Sequence, residues 1–358
     1  MILKETQSQE YSNLTRIPAF IDMHVHLRDP GQTYKETILS GSRAAKAGGF
    51  SHILCMPNTT PVIDTPEMIQ FVLSRPAEVA VLPIASITKG QQGSELTDFA
   101  ALKKAGAVAF SDDGVPVSDS NLMRQAMYKA IENNALIISH CENKSLIPSK
   151  LQSPPEAEYT AIDRECALAI ETGARLHIAH ISTKESVDII RNAKRKGANV
   201  TCETCPHYFS LTESDYKNLG TNAMMNPPLR KKEDVTAIIS GIVDGTIDVV
   251  STDHAPHSIS EKDQPAELAP FGIIGLETSF CVSYTFLVKT GIIKLERLIE
   301  LMSDKPKEIL GIHSSSFVLA DLETEFIYDI STSQSLSRNS PYDKMRFFGK
   351  ILKTVLED

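Results

Sequence analysis

AFIDMHVHLRDPG, residues 19–31, is an apolar run that ends in two histidines. It reads as a buried β-strand, and in a strand side chains two apart point the same way. His24 and His26 are therefore aimed at one point, which a metal ion can use, and Arg28 follows two residues later. Similar apolar runs recur at about 51–57, 79–87, 107–112, 135–140, 175–181, 198–204 and 247–253. Between them lie amphipathic stretches at 34–47, 95–105, 121–133, 157–172, 184–196 and 231–245, several stopping at a glycine such as Gly106, Gly173 or Gly197. Strands that alternate with helices, and that are continuously apolar rather than alternating, predict an α/β protein built as a (β/α)8 TIM-type barrel.

Barrel enzymes place their chemistry at the carboxyl ends of the strands. The predicted strands end with His24 and His26, Asn58, Asp112 and Asp113, His140, His180 and Asp253. A lone histidine at a strand end is usually a hydrogen-bonded structural residue. Histidines and aspartates converging on one rim from several strands are read instead as a metal site. Imidazole and carboxylate suit zinc, and a catalytic zinc keeps a position open for water.

The chain has 358 residues, 42% hydrophobic and 23% charged, with a net charge of −9. That length holds a barrel of ~250 residues plus extra elements. An acidic surface excludes nucleic acid and anionic membrane as natural partners, and the apolar runs fall short of the ~20 residues of a membrane span. MILKETQSQEYSNLTR, residues 1–16, has no apolar signal core, so a cytoplasmic location is expected. The 6 scattered cysteines read as free thiols, and Cys202-x-x-Cys205 lacks the second pair that a structural zinc site needs.

Beyond DMHVHLRDPG, the motifs MPNTTP, FSDDGVPV, ISHCEN, HIAHIST, TCPHYF, MNPPLR, STDHAPH and PFG span about residues 17–311. Together they resemble the class I dihydroorotases of the amidohydrolase superfamily. The resemblance implies a zinc-dependent cyclic amidohydrolase, with two Zn2+ per subunit, that interconverts L-dihydroorotate and N-carbamoyl-L-aspartate in pyrimidine biosynthesis. It assigns His24, His26, Asp113, His140, His180 and Asp253 to metal, with Asp113 as the bridge and Asp253 also as the catalytic proton shuttle. The spacing from Asp113 to His140 resembles the family's, which leaves Asp112 in reserve. Substrate contacts carried over are His26, Arg28, Asn58, Asn226, His257, Phe271 and Gly272. Arg28 has the planar fork that matches a carboxylate. His207 is given a supporting role, and His52 and His177 are read as core or outer residues.

Two rivals follow from the same motifs. One is a related cyclic amidase, allantoinase- or hydantoinase-like, disfavoured by FSDDG where a modified lysine would stand. The other is a catalytically silent homologue that partners aspartate transcarbamoylase, disfavoured by the complete ligand set. A homodimer and association with aspartate transcarbamoylase fit the family. The polar segment 258–270, after the eighth strand, is read as a mobile lid over the site. Relatives carry more β-structure before the first strand and after the barrel. The expected division is therefore a barrel over 18–314, with a small or truncated flanking β subdomain formed by both termini, 1–17 and 315–358.

Overall fold

The computed structural model describes residues 14–357. In chain order its strands are β1 (Thr15–Pro18), β2 (Phe20–Val25), β3 (Phe50–Cys55), β4 (Ala80–Ala85), β5 (Ala109–Phe110), β6 (Leu136–Ser139), β7 (Leu176–Ile178), β8 (Val200–Thr204), β9 (Val249–Val250), β10 (Phe317–Asp321), β11 (Phe326–Ile327), β12 (Arg346–Phe347) and β13 (Lys350–Val355). Strands β2 to β9 form one 8-stranded sheet in sequence order. Each neighbouring pair is parallel. The two edges meet through a parallel bridge between Val25 and His254, and the His26 N–H donates to His254 O at 2.8 Å. The predicted α/β barrel is present and all but closed.

Two hydrophobic clusters explain why these runs are apolar on both faces. Leu54 and Met56 belong to an inner cluster with Ile21, Met23, Ile84, Ala109, Ile138 and Val249. Ile53 and Cys55 pack outward with helix residues such as Ile38, Ala44, Ile69 and Val72. In β2 a register shift lies between Asp22 and Val25. It falls where the inward set passes from Ile21 and Met23 to His24 and His26, as an irregularity that resets strand alternation would produce.

The helices sit where the amphipathic stretches predict, with two systematic differences. The helix Ile38–Ala47 starts later than 34–47, because Thr37 caps it and Lys35 and Glu36 are buried in the preceding loop. Phe99–Ala105 likewise begins only after the Asp98 cap and closes on left-handed Gly106 (φ 116°). A helix at Pro66–Leu73, which periodicity over so few turns does not reveal, is started by the Thr65 cap and Pro66 in its first turn.

Outside the barrel, β1, β10 and β13 form a 3-stranded antiparallel sheet, and β11 pairs with β12. The Arg16 guanidinium lies 3.8 Å over the Phe317 ring. Thr354 Oγ1 donates to Lys46 O, which ties the sheet to the first barrel helix. That helix ends at Gly48, where a Cβ would stand 2.1 Å from Leu276 O and 2.8 Å from Leu276 C. Both are backbone atoms, so neither can swing away. Gly48→Ala is therefore expected to cost about 1–3 kcal/mol through overpacking, measured as a lower urea midpoint with an unchanged slope.

Candidate metal centre

His24 lies within β2 and His26 just beyond it, and each ring is oriented by its Nδ1. His24 Nδ1 lies 2.8 Å from Glu203 Oε1 on β8, and His26 Nδ1 lies 2.9 Å from Asn58 Oδ1 after β3. An imidazole that donates from Nδ1 turns a lone pair on Nε2 to whatever it faces. Here both Nε2 atoms face the same two carboxylates. His24 Nε2 is 3.3 Å from Asp113 Oδ1 and 3.6 Å from Asp253 Oδ1. His26 Nε2 is 3.5 Å from Asp113 Oδ2 and 3.1 Å from Asp253 Oδ1.

The second half of the cluster comes from the opposite wall. His140, after β6, sets Nδ1 2.9 Å from His180 Nε2, after β7. These two atoms lie 3.6 and 3.7 Å from Asp113 Oδ1. The structure thus brings together the expected donors His24, His26, Asp113, His140, His180 and Asp253, all buried. Asp112 points elsewhere: its oxygens accept from Ile87 N at 2.8 Å, Thr88 N at 3.1 Å and the Thr88 hydroxyl. Of the two neighbouring acids, only Asp113 meets the imidazoles.

Two triads, His24/His26/Asp253 and His24/Asp113/His180, offer ligand atoms that all lie within 4.8 Å of one another. Buried His24 Nε2 and Asp113 Oδ1 face each other without a hydrogen bond, a costly arrangement unless a cation sits among them. These residues fit a divalent ion. Burial opposes ionisation throughout, yet the charges respond to one another. Asp113 and Glu203 outweigh burial and hold His24 well above the ordinary imidazole pKa. Burial pushes Asp113 up, but His24, His180 and His26 bring it well below the carboxylate range. Asp253, likewise opposed by burial, is held at about 2 by His26, His24 and His180. Imidazoles and carboxylates thus stabilise one another's charged forms here, a set of groups to which a divalent cation is complementary.

Backbone strain gathers here as well. Arg28 (φ 58°), His180 (φ 34°) and Asp253 (φ 48°) are non-glycine residues in the left-handed region. Such conformations persist where surrounding contacts over-determine them, commonly at active sites.

The expected substrate contacts form the rim. Arg28 donates from Nε to Pro256 O at 3.2 Å and sets Nη2 3.3 Å from His257 Nε2. Asn58, read from sequence as a carboxylate contact, also orients two of the expected metal donors: beyond its contact with His26, its Nδ2 donates to Asp113 Oδ2 at 3.3 Å. Asn226 donates to Glu142 Oε1 at 3.0 Å. With Phe271 it borders a cavity of about 880 Å³ whose lining includes Tyr159, Met225 and Arg230 but none of the histidines. Gly272 (φ 127°) leaves no room for a side chain, since a Cβ would lie 2.6 Å from Ala255 Cβ. His207 is buried with its ring 4.2 Å from Tyr208, and burial holds it at about 4, hence neutral. In the segment 258–270 the Ile259–Lys262 turn is closed by a Ser258/Glu261 capping box, and Lys262 Nζ donates to Pro270 O and Gly272 O at 3.0 Å.

Several residues of this site were not singled out from sequence. Glu203 bridges His24, His177 Nε2 (3.2 Å) and the Ser251 hydroxyl, fastening β2, β7, β8 and the segment after β9 to one carboxylate. Asn339, far along the chain, donates from Nδ2 to Ala255 O and Gly272 O, both at 3.0 Å, and accepts from His257 N at 3.1 Å. A charged residue inside a buried strand was the available signal for Glu203; Asn339 had none. Glu203→Gln should weaken divalent-metal affinity by about 10–100-fold, as loss of a ligand's supporting partner does. Zinc titration against a competing chelator checks this, and unchanged affinity would reduce Glu203 to a packing role.

A family model described as dihydro-orotase-like matches residues 15–186. A dihydroorotase from Ruminiclostridium cellulolyticum is 44% identical over 95% of this chain and 85% of its own length. One from Bacillus licheniformis is 46% identical over 93% of this chain and 83% of its own length. Among solved structures, an L-hydantoinase (dihydropyrimidinase) from Arthrobacter aurescens superposes with a TM-score of 0.89 at 24% identity, covering 97% of this chain and 85% of that one. The fold is thus common to hydantoinases and dihydroorotases, while the sequence lies with the latter. The chain belongs to the dihydroorotase family, and it is an amidohydrolase enzyme on a TIM-type barrel.

Proposed function

We propose that this chain is a dihydroorotase, interconverting L-dihydroorotate and N-carbamoyl-L-aspartate in pyrimidine biosynthesis. The convergence of His24, His26, His140 and His180 on Asp113 and Asp253, beside an Arg28/His257 corner, carries the reading. Those donors would hold two Zn2+ ions, which supply a low-pKa water and polarise the ring amide carbonyl when bound.

The chain's own residues do the rest. Asp253, ionised at neutral pH and 3.1 Å from His26 Nε2, takes the proton of the attacking water and returns it to the departing ring nitrogen. Arg28 and His257 converge with donor groups, and an acceptor between them fits the substrate carboxylate. Asn58 adds an amide N–H from the neighbouring strand end. Asn226 and the backbone of Phe271 and Gly272 lie along the polar edge of the ring. The neutral rings of hydantoin or dihydrouracil have no carboxylate for the Arg28 corner, which favours the dihydroorotase reading over the hydantoinase one.

We also place the barrel at 18–314, with 1–17 and 315–358 as the flanking β subdomain; residues 1–13 and 358 lie outside the described ones. Among the described residues no helix is long and apolar enough to cross a membrane, consistent with a cytoplasmic enzyme. A homodimer, and docking to aspartate transcarbamoylase, are the partners proposed.

Zinc-loaded protein should hydrolyse dihydroorotate and leave hydantoin and allantoin nearly untouched; the opposite preference would overturn the assignment. Asp253→Asn should keep most of its metal, measured by elemental analysis, while turnover falls by about 10²–10⁴-fold, the usual scale for a lost proton-transfer group. Near-normal turnover would remove Asp253 from its role.

A further inference from the structure

Lys35 is a buried lysine on the loop before the helix Ile38–Ala47. Its ammonium meets Glu261 Oε1 at 2.9 Å and His257 Nδ1 at 3.3 Å. Ammonium has only donors to offer, so Nδ1 of His257 must be the acceptor. A neutral imidazole with an accepting Nδ1 carries its proton on Nε2, and that atom lies 2.8 Å from Phe271 O. The ring is neutral: burial, with Arg28, Lys35 and Lys262 nearby, pushes His257 down to about 2. Arg28 Nη2, 3.3 Å from the same Nε2, is also a donor and cannot pair with it. The one Nε2–H is donated to Phe271 O beside the Arg28 guanidinium, so a carboxylate seated at this corner would share that proton with Phe271 O, and Lys35 stands behind the ring that carries it.

We propose that Lys35 is a positioning residue for the substrate carboxylate: it locks His257 in the orientation and tautomer that present Nε2–H beside Arg28, and adds a buried positive charge behind that pair. This rests on the dihydroorotase reading and extends its carboxylate site by one residue. Glu261 in turn holds Lys35 and accepts from the Tyr34 hydroxyl at 3.1 Å, so the 258–262 turn is coupled to the carboxylate corner.

Lys35 touches the substrate only through His257, so its loss should fall on binding. Lys35→Met is expected to raise KM for dihydroorotate about tenfold or more, the scale of one charge-assisted hydrogen bond, with kcat within about threefold. In a His257→Gln background the same substitution should have little further effect, because two residues acting as one unit are not additive. An unchanged KM, a loss confined to kcat, or full additivity in the double variant would overturn the proposal. If Lys35→Met does not fold, the half-exposed partner carries the test: Glu261→Gln should raise KM about threefold with His257 intact and not in His257→Gln. Failure of wild-type protein to turn over dihydroorotate would sink the underlying reading alone. The tautomer is then decided by 15N spectra of the zinc-loaded, histidine-labelled protein, with His257→Gln supplying the assignment. A protonated Nε2 and bare Nδ1 at neutral pH are expected; a protonated Nδ1 would refute the Lys35 contact.

Discussion

The hydrogen bond from His26 N to His254 O joins the two edges of the barrel sheet, and the geometry of the histidine cluster depends on it. It joins the first barrel strand to the last, residues more than two hundred positions apart, and its immediate neighbours are a donor pair, His26 and Asp253. Closure and site assembly are therefore one event. The Val25–His254 bridge aligns β2 with the segment after β9, and that alignment brings Asp253 within 3.1 Å of His26. Any slip in pairing at this seam would separate His26 from Asp253 while leaving the other strands intact.

A second constraint is electrostatic. Six buried donors around one point cannot all be charged or all be neutral, and the protein answers with a ring of supporting partners. Glu203 and Asn58 fix the imidazoles of β2, and Asp113 stands between the two histidine pairs. Asp22 shows how costly the neighbourhood is for a carboxylate without such help: burial raises it to about 7 despite hydrogen bonds from His24 N and Thr252 N. Asp113 and Asp253 move the other way because imidazoles face them.

Much of this was legible in the sequence, for physical reasons. Parallel strands buried on both faces must be apolar throughout, so the runs ending at His24, His140 and His180 stood out. The barrel rule then gathered those ends on one rim. What could not be read depends on tertiary context. The β2 register shift has no local signature, and neither does the burial of Lys35 and Glu36 that delays the first helix. The choice between Asp112 and Asp113 needed the Thr88 loop, which occupies the former. Asn58 was read as a contact for substrate; its contacts with His26 and Asp113 depend on neighbouring strand ends and are invisible one strand at a time. The contacts of Lys262 with backbone carbonyls, at the root of the polar segment 258–270, are announced by no local pattern.

Asn339 comes after every barrel strand in the chain, yet it grips Ala255, His257 and Gly272 at the mouth. On a ribosome the eight strands can emerge and pair before this side chain exists. The mouth is consequently finished last, by a strap laid across an already folded cylinder, so a half-made enzyme has a barrel but not a fastened rim.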